Sequence, residues 1–168
     1  MYINIYSDGA CSNNPGPGGY ACIITQIDDS GDIMNEVAYV SGNEKTTNNR
    51  MELMGVIRGL QEIKRLGIKN VDVNVYTDSS YVANAFNQNW IRNWQRNDWK
   101  KSDGNPVLNE LLWKTLVELV YNSTYEVKFN WIKGHTGNPY NERCDELAVN
   151  YYKENFISHE HNDKHNKV

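Results

Sequence analysis

Ile3 and Ile5 alternate with polar or aromatic neighbours over residues 2–7, and that period of two predicts a strand. The run Asn13-Asn14-Pro15-Gly16-Pro17-Gly18-Gly19 follows and reads as a loop, because proline and glycine punctuate regular structure. Alternation resumes over residues 20–27, breaks at the turn Asp28-Asp29-Ser30-Gly31-Asp32, and returns over residues 33–40. Three strands joined by short connections predict an antiparallel meander.

From residue 47 to 66 the period changes. Leu53, Val56, Ile57, Leu60 and Ile63 fall at helical spacing and Gly67 supplies a stop. Val71, Val73 and Val75 restore the period of two, as do Tyr125, Val127, Phe129 and Trp131, with helical segments between and after them. The expected fold is therefore α/β: a five-stranded mixed sheet, three antiparallel strands followed by parallel ones, flanked by helices. In an open sheet of this kind ligands bind at the carboxyl ends of strands. The last helix carries Cys144, Leu147, Ala148 and Tyr151 on one stripe, with Asn141 as its expected N-cap and Asp145 beside the stripe. Residues 1–156 are expected to form a single domain, and the polar residues 157–168 a disordered tail.

Composition narrows the class. With 39% hydrophobic and 23% charged residues the chain is neither disordered nor membrane-spanning by composition. It begins at Met1 without a basic, apolar and small-residue leader, so a cytoplasmic, free-standing monomer is the default expectation. Cys11, Cys22 and Cys144 are odd in number and irregularly spaced, which favours reduced, mostly buried thiols over a disulfide framework or a zinc site. A net charge of -4 argues against indiscriminate coating of nucleic acid but leaves room for a local basic patch.

Four acids stand where the pattern ends strands or opens helices: Asp8, Glu52, Asp78 and Asp145. Singly, each has an ordinary structural explanation as a turn former, a cap or an exposed helix residue. Gathered together they would repel one another, an arrangement that makes sense when hard divalent cations sit between them. That points to metal-assisted phosphoryl chemistry.

The surroundings of these acids sharpen the reading. Tyr6-Ser7-Asp8-Gly9-Ala10-Cys11, Asn14-Pro15-Gly16-Pro17-Gly18-Gly19-Tyr20, Thr46-Thr47-Asn48-Asn49-Arg50-Met51-Glu52-Leu53 and Tyr76-Thr77-Asp78-Ser79 are followed by Lys133-Gly134-His135-Thr136-Gly137 and Asn141-Glu142-Arg143-Cys144-Asp145-Glu146-Leu147-Ala148. This ordered set, spanning residues 1 to about 153, closely resembles type 1 ribonuclease H. The resemblance implies a ribonuclease H-like fold and cutting of the RNA strand of an RNA/DNA hybrid, leaving 5'-phosphate and 3'-hydroxyl ends. It implies that Asp8 bridges two metal ions, with Asp78 and Asp145 on one and Glu52 on the other. Mg2+ suits an oxygen-only site of this kind, and Mn2+ is expected to substitute. His135 would act as an accessory proton carrier, since imidazole titrates near neutrality.

Substrate choice calls for other groups, because RNA is told from DNA through its 2'-hydroxyl. The resemblance nominates the backbone of Cys11, Ser12 and Asn13, with the side chains of Asn48 and Glu52, for that task. Asn14, Thr47 and Asn48 match a pocket for a phosphate of the DNA strand, although asparagines also serve in turns and caps. The segment from Trp90 to Lys101 interleaves Trp90, Trp94 and Trp99 with Arg92, Arg96, Lys100 and Lys101 and looks like the family's basic protrusion. The rival reading makes the tryptophans packing residues and the bases a solvated face. One departure is Ser80, which lies where many relatives have glutamine and is too short for the same reach. The His159, His161 and His165 stretch reads as part of the polar tail. Other readings stay open on sequence: a DNA nuclease of the same fold, a hybrid-binding module without turnover, and a fragment of a larger polymerase.

Overall fold

A computed structural model describes residues 1–134 and 137–157. Five strands form one sheet: β1 (Tyr2–Cys11), β2 (Gly16–Ile27), β3 (Ile33–Thr46), β4 (Asp72–Thr77) and β5 (Glu126–Trp131). Their spatial order is β3-β2-β1-β4-β5, antiparallel among the first three and parallel from β1 to β4 to β5. This is the mixed sheet expected from the hydrophobic pattern. The parallel pairings need crossovers, and these are supplied by α1 (Asn48–Arg65) between β3 and β4, and by α2 (Ser80–Asn87), α3 (Trp90–Arg96) and α4 (Glu110–Tyr121) between β4 and β5.

The two sheet faces are packed differently. Ile3, Ile5, Val73, Val75 and Phe129 point toward α1, α2 and α4 and join Leu53, Ile57, Leu60, Trp113 and Leu116 in the main core. On the other face α5 (Pro139–Tyr152) lays Cys144 and Ala148 on Ala21 and Ile23. A π-helical turn, Lys153–Ile157, follows α5. The expected polar tail lies otherwise outside the described residues. Cys22 and Cys144 are buried and Cys11 half-buried, all three as free thiols, and burial pushes the Cys22 thiol up to about 12. No helix among the described residues is long and apolar enough to cross a membrane.

Several boundaries differ from the pattern-based expectation: β3 runs on to Thr46 beyond the expected residue 40, and three others have a clear tertiary reason. β1 continues past Asp8 to Cys11 because β2 keeps pairing with it, Asp8 opposite Ala21 and Cys11 opposite Gly18. The glycines read as loop belong to β2. A β-carbon at Gly19 would collide with the carbonyl of Ala148 on α5, so a residue without a side chain is what lets helix and sheet meet. Helix α5 begins earlier than expected: Asn138, not Asn141, is its N-cap, accepting from the Asn141 amide at 3.0 Å, with Pro139 in the first turn where its missing N–H costs nothing. Asn141 is instead buried inside the first turn.

Candidate active site

The parallel ladder between β1 and β4 ends at Ser7 and Thr77, so the next residues, Asp8 still within β1 and Asp78 just past β4, stand side by side where that ladder stops. The N-terminal turn of α1 crosses directly over Gly9, where a β-carbon would strike the backbone of Met51 and Glu52. That close approach swings Glu52 in. Thr47 caps α1 by accepting from the Arg50 amide at 3.2 Å, which sets where the helix starts and hence where Glu52 points. One carboxylate oxygen from each of Asp8, Glu52 and Asp78 lies within 4.8 Å of the others. Asp145, in the second turn of α5, stands outside that close group, though its charge is felt at Asp8.

Burial and mutual repulsion decide the electrostatics. Asp8 is only 4% exposed, and its carboxyl is pushed up to about 8, first by loss of solvent and then by the charge of Asp78. A hydrogen bond from the Gly9 amide at 2.9 Å offsets part of this. Glu52 is raised well above the carboxylate range by the same causes, desolvation first and then Asp8 and Asp78. One oxygen of Glu52, Oε2, is buried without a hydrogen-bond partner. Unpaired buried acceptors are costly. An oxygen-only donor set with a proton load and an orphaned acceptor fits a hard divalent cation, which would replace the protons and satisfy the acceptor.

Around the acids the expected substrate residues fall into two groups. Asn14, Thr47 and Asn48 are brought together at the start of α1, where the Asn48 amide donates to Asn14 Oδ1 at 2.9 Å. The Asn48 backbone amide is therefore already engaged, while the Thr47 hydroxyl, an acceptor in the cap, keeps its O–H to donate to an anion beside the side-chain amides of Asn14 and Asn48. Cys11, Ser12 and Asn13 form the exit of β1, Asn13 with a left-handed φ of 60°. The Cys11 thiol turns toward the carbonyls of Gly16 and Thr46 at 3.4 and 3.3 Å. Ser80 is exposed in the first turn of α2, just after the capping residue Ser79.

In the aromatic and basic segment the tryptophans are packing residues and the bases face solvent. Trp90, Trp94 and Trp99 pack on the main core, Trp94 edge-on to Trp113 at 5.2 Å, while Arg92, Arg96, Lys100 and Lys101 are all exposed. His135 lies outside the described residues. Two contacts escaped the sequence reading. Trp131 Nε1 donates to the backbone carbonyl of Asp78 at 3.0 Å. Arg50 Nε donates to Asn109 Oδ1 at 3.1 Å, and Asn109 Nδ2 to the Tyr81 hydroxyl at 3.3 Å, tying together the starts of α1, α2 and α4. No local pattern signals either one, since the partners are 53 and 59 residues apart in the first two bonds.

The RNase H family model matches residues 1–153. The ribonuclease H of Thermoanaerobacter sp. (strain X514) is 47% identical over 154 residues, covering 91% of each chain, and that of Desulforamulus reducens is 45% identical over 147 residues, covering 88% of this chain and 85% of its own. Among solved structures, LC9-RNase H1, described as a type 1 RNase H with the type 2 active-site motif, superposes with a TM-score of 0.79 at 30% identity, over 91% of this chain and 72% of that one. LC11-RNase H1 in complex with an RNA/DNA hybrid gives 0.65 at 25% identity, over 90% and 97%.

Proposed function

The chain belongs to the ribonuclease H family, and from that premise we propose that it hydrolyses the RNA strand of RNA/DNA hybrids, leaving 5'-phosphate and 3'-hydroxyl ends. The observation that carries this reading is the convergence of Asp8, Glu52 and Asp78 within 4.8 Å, where desolvation and mutual repulsion raise the Asp8 and Glu52 carboxyls. The hybrid seen bound to the related LC11-RNase H1 supports the choice of substrate.

Asp8, Glu52, Asp78 and Asp145 would hold two Mg2+ ions, Asp8 shared, Asp78 and Asp145 on one side and Glu52 on the other. When bound, such ions supply an activated water and charge stabilisation for the leaving oxygen. The chain itself does the positioning. Cys11, Ser12 and Asn13 by backbone, with Asn48 and Glu52 by side chain, read the 2'-hydroxyl that distinguishes RNA. Asn14, Thr47 and Asn48 take a phosphate of the DNA strand, and Trp90, Arg92, Trp94, Arg96, Lys100 and Lys101 carry its backbone further along. His135 moves a proton or helps product leave, so its loss slows turnover without abolishing it.

The test is a gel assay of end-labelled RNA annealed to DNA, with single-stranded RNA, duplex RNA and duplex DNA alongside, in Mg2+ and in EDTA. Cutting confined to the RNA of the hybrid, dependent on Mg2+ and lost in Asp78→Asn, is expected. Cutting of duplex DNA would make this a DNA nuclease of the same fold, and hybrid binding without cutting would make it a binding module.

A further inference from the structure

Asp78 is supported by residues more than fifty positions further along the chain. Its own strand ends at Thr77, where pairing with β5 also ends, Thr77 opposite Trp131. Beyond that point two bonds keep the chains together: the Ile132 amide donates to the Thr77 carbonyl at 2.9 Å, and Trp131 Nε1 donates to the Asp78 carbonyl at 3.0 Å. Trp131 is 52% exposed, so burial of its ring accounts for only part of its placement. On the side-chain end, a β-carbon at Gly134 would sit 2.9 Å from Asp78 Oδ2 and 3.7 Å from its Cβ and Cγ. The carboxylate thus abuts bare backbone. Gly134 is not in the left-handed region, so conformational freedom does not explain a glycine there, and room for Asp78 does.

We propose that Trp131 and Gly134 are positioning residues that fix Asp78 in its cation-binding orientation, the indole by holding its backbone and the glycine by defining the wall its carboxylate rests against. The inference rests on the proposed function and deepens it. Asp78 faces the charge of Asp8 and the carboxyl of Glu52, and that repulsion works against the orientation in which the three carboxylates would share a cation. Groups that hold a ligand in place before the ion arrives govern affinity for the ion more than contact with the substrate.

Trp131→Phe keeps a ring and removes the N–H, while Gly134→Ala leaves the indole bond and fills the wall. Two readouts separate positioning from a general structural role: Mn2+ titration calorimetry on the full chain without nucleic acid, and hybrid cleavage as a function of Mg2+ concentration. For Trp131→Phe, the Mn2+ Kd and the Mg2+ level giving half-maximal rate should both rise about tenfold, the lower end of effects seen when groups behind metal ligands are removed. Excess Mg2+ should restore kcat, with KM for the hybrid close to wild type. Gly134→Ala should shift the same two quantities the same way, and a melting curve for each variant checks that the fold is intact. Wild-type metal dependence in both folded variants overturns the proposal, as does a raised KM for hybrid with unchanged Mn2+ affinity, which would make Trp131 a substrate contact instead. Failure of the wild-type protein to bind Mn2+ or cut hybrid would take down the proposed function and this inference together, whereas normal wild-type behaviour with normal variants takes down the inference alone.

Discussion

Asp8 takes up a proton in the folded protein that it has lost in the unfolded chain over a wide pH range, because its carboxyl lies at about 8 against an ordinary 3.8. The sign follows directly. A carboxyl raised by folding contributes most to stability below the unfolded value, and that contribution is lost as pH rises from about 4 through 8. In EDTA the protein should therefore melt at a lower temperature at pH 8 than at pH 5.5, and Mg2+ should restore more stability at pH 8 than at pH 5.5. Asp8→Asn removes the titrating group and part of the repulsion on Glu52 and Asp78. It should abolish cleavage yet raise stability in EDTA at pH 8 by roughly 2 kcal/mol, about 4–8 °C in Tm for a chain of this length. Calorimetric melts with and without Mg2+ check both halves. A variant no more stable than wild type would show that the acids do not strain the fold.

Helix α1 was readable to within a residue, since its stripe from Leu53 to Ile63 is periodic, Thr47 caps it and Gly67 ends it with a φ of 72°. The start of β2 and the start of α5 were not. The first is decided by Gly19 lying under Ala148 and the second by Asn138 winning over Asn141, and both are choices made by packing between distant segments. The site divides the same way. The acids stand out through their motifs, but the Asp78 support from Trp131 depends on two strand ends meeting, which no local spacing encodes. If Gly19 is glycine because α5 needs the room, Gly19→Ala should cost about 2 kcal/mol, within the range for overpacking a closed interface. Urea unfolding would show a lower midpoint with an unchanged slope. Asn138→Ala should cost about 1 kcal/mol through loss of the cap, again at constant slope, while the same change at Asn141 removes no cap at all. Equal and purely cap-like losses at both positions would contradict the observed start of α5.

The whole chain carries a net charge of -4, yet it presents four exposed cations, Arg92, Arg96, Lys100 and Lys101, along one segment braced from behind by packed tryptophans. The acids that make the total negative include the ones that would be neutralised by cations in use, so the global charge understates attraction for a polyanion. Binding should then depend on where charge sits more than on its sum. Phosphate contacts release counterions, and each one removed lowers the slope of log affinity against log salt by about one. Arg92→Ala combined with Arg96→Ala should raise KM for a hybrid at moderate salt and reduce that slope by about two, because both guanidinium groups are exposed and neither has an acid beside it among the described ion pairs. Lys101 lies 3.7 Å from Asp103, so part of its charge is already answered, and Lys101→Ala should change the slope by less than either arginine. Cleavage rates measured from 50 to 300 mM KCl separate the cases. An unchanged slope in the arginine pair would mean that the segment is a solvated face over its tryptophans and that the hybrid's backbone is held elsewhere.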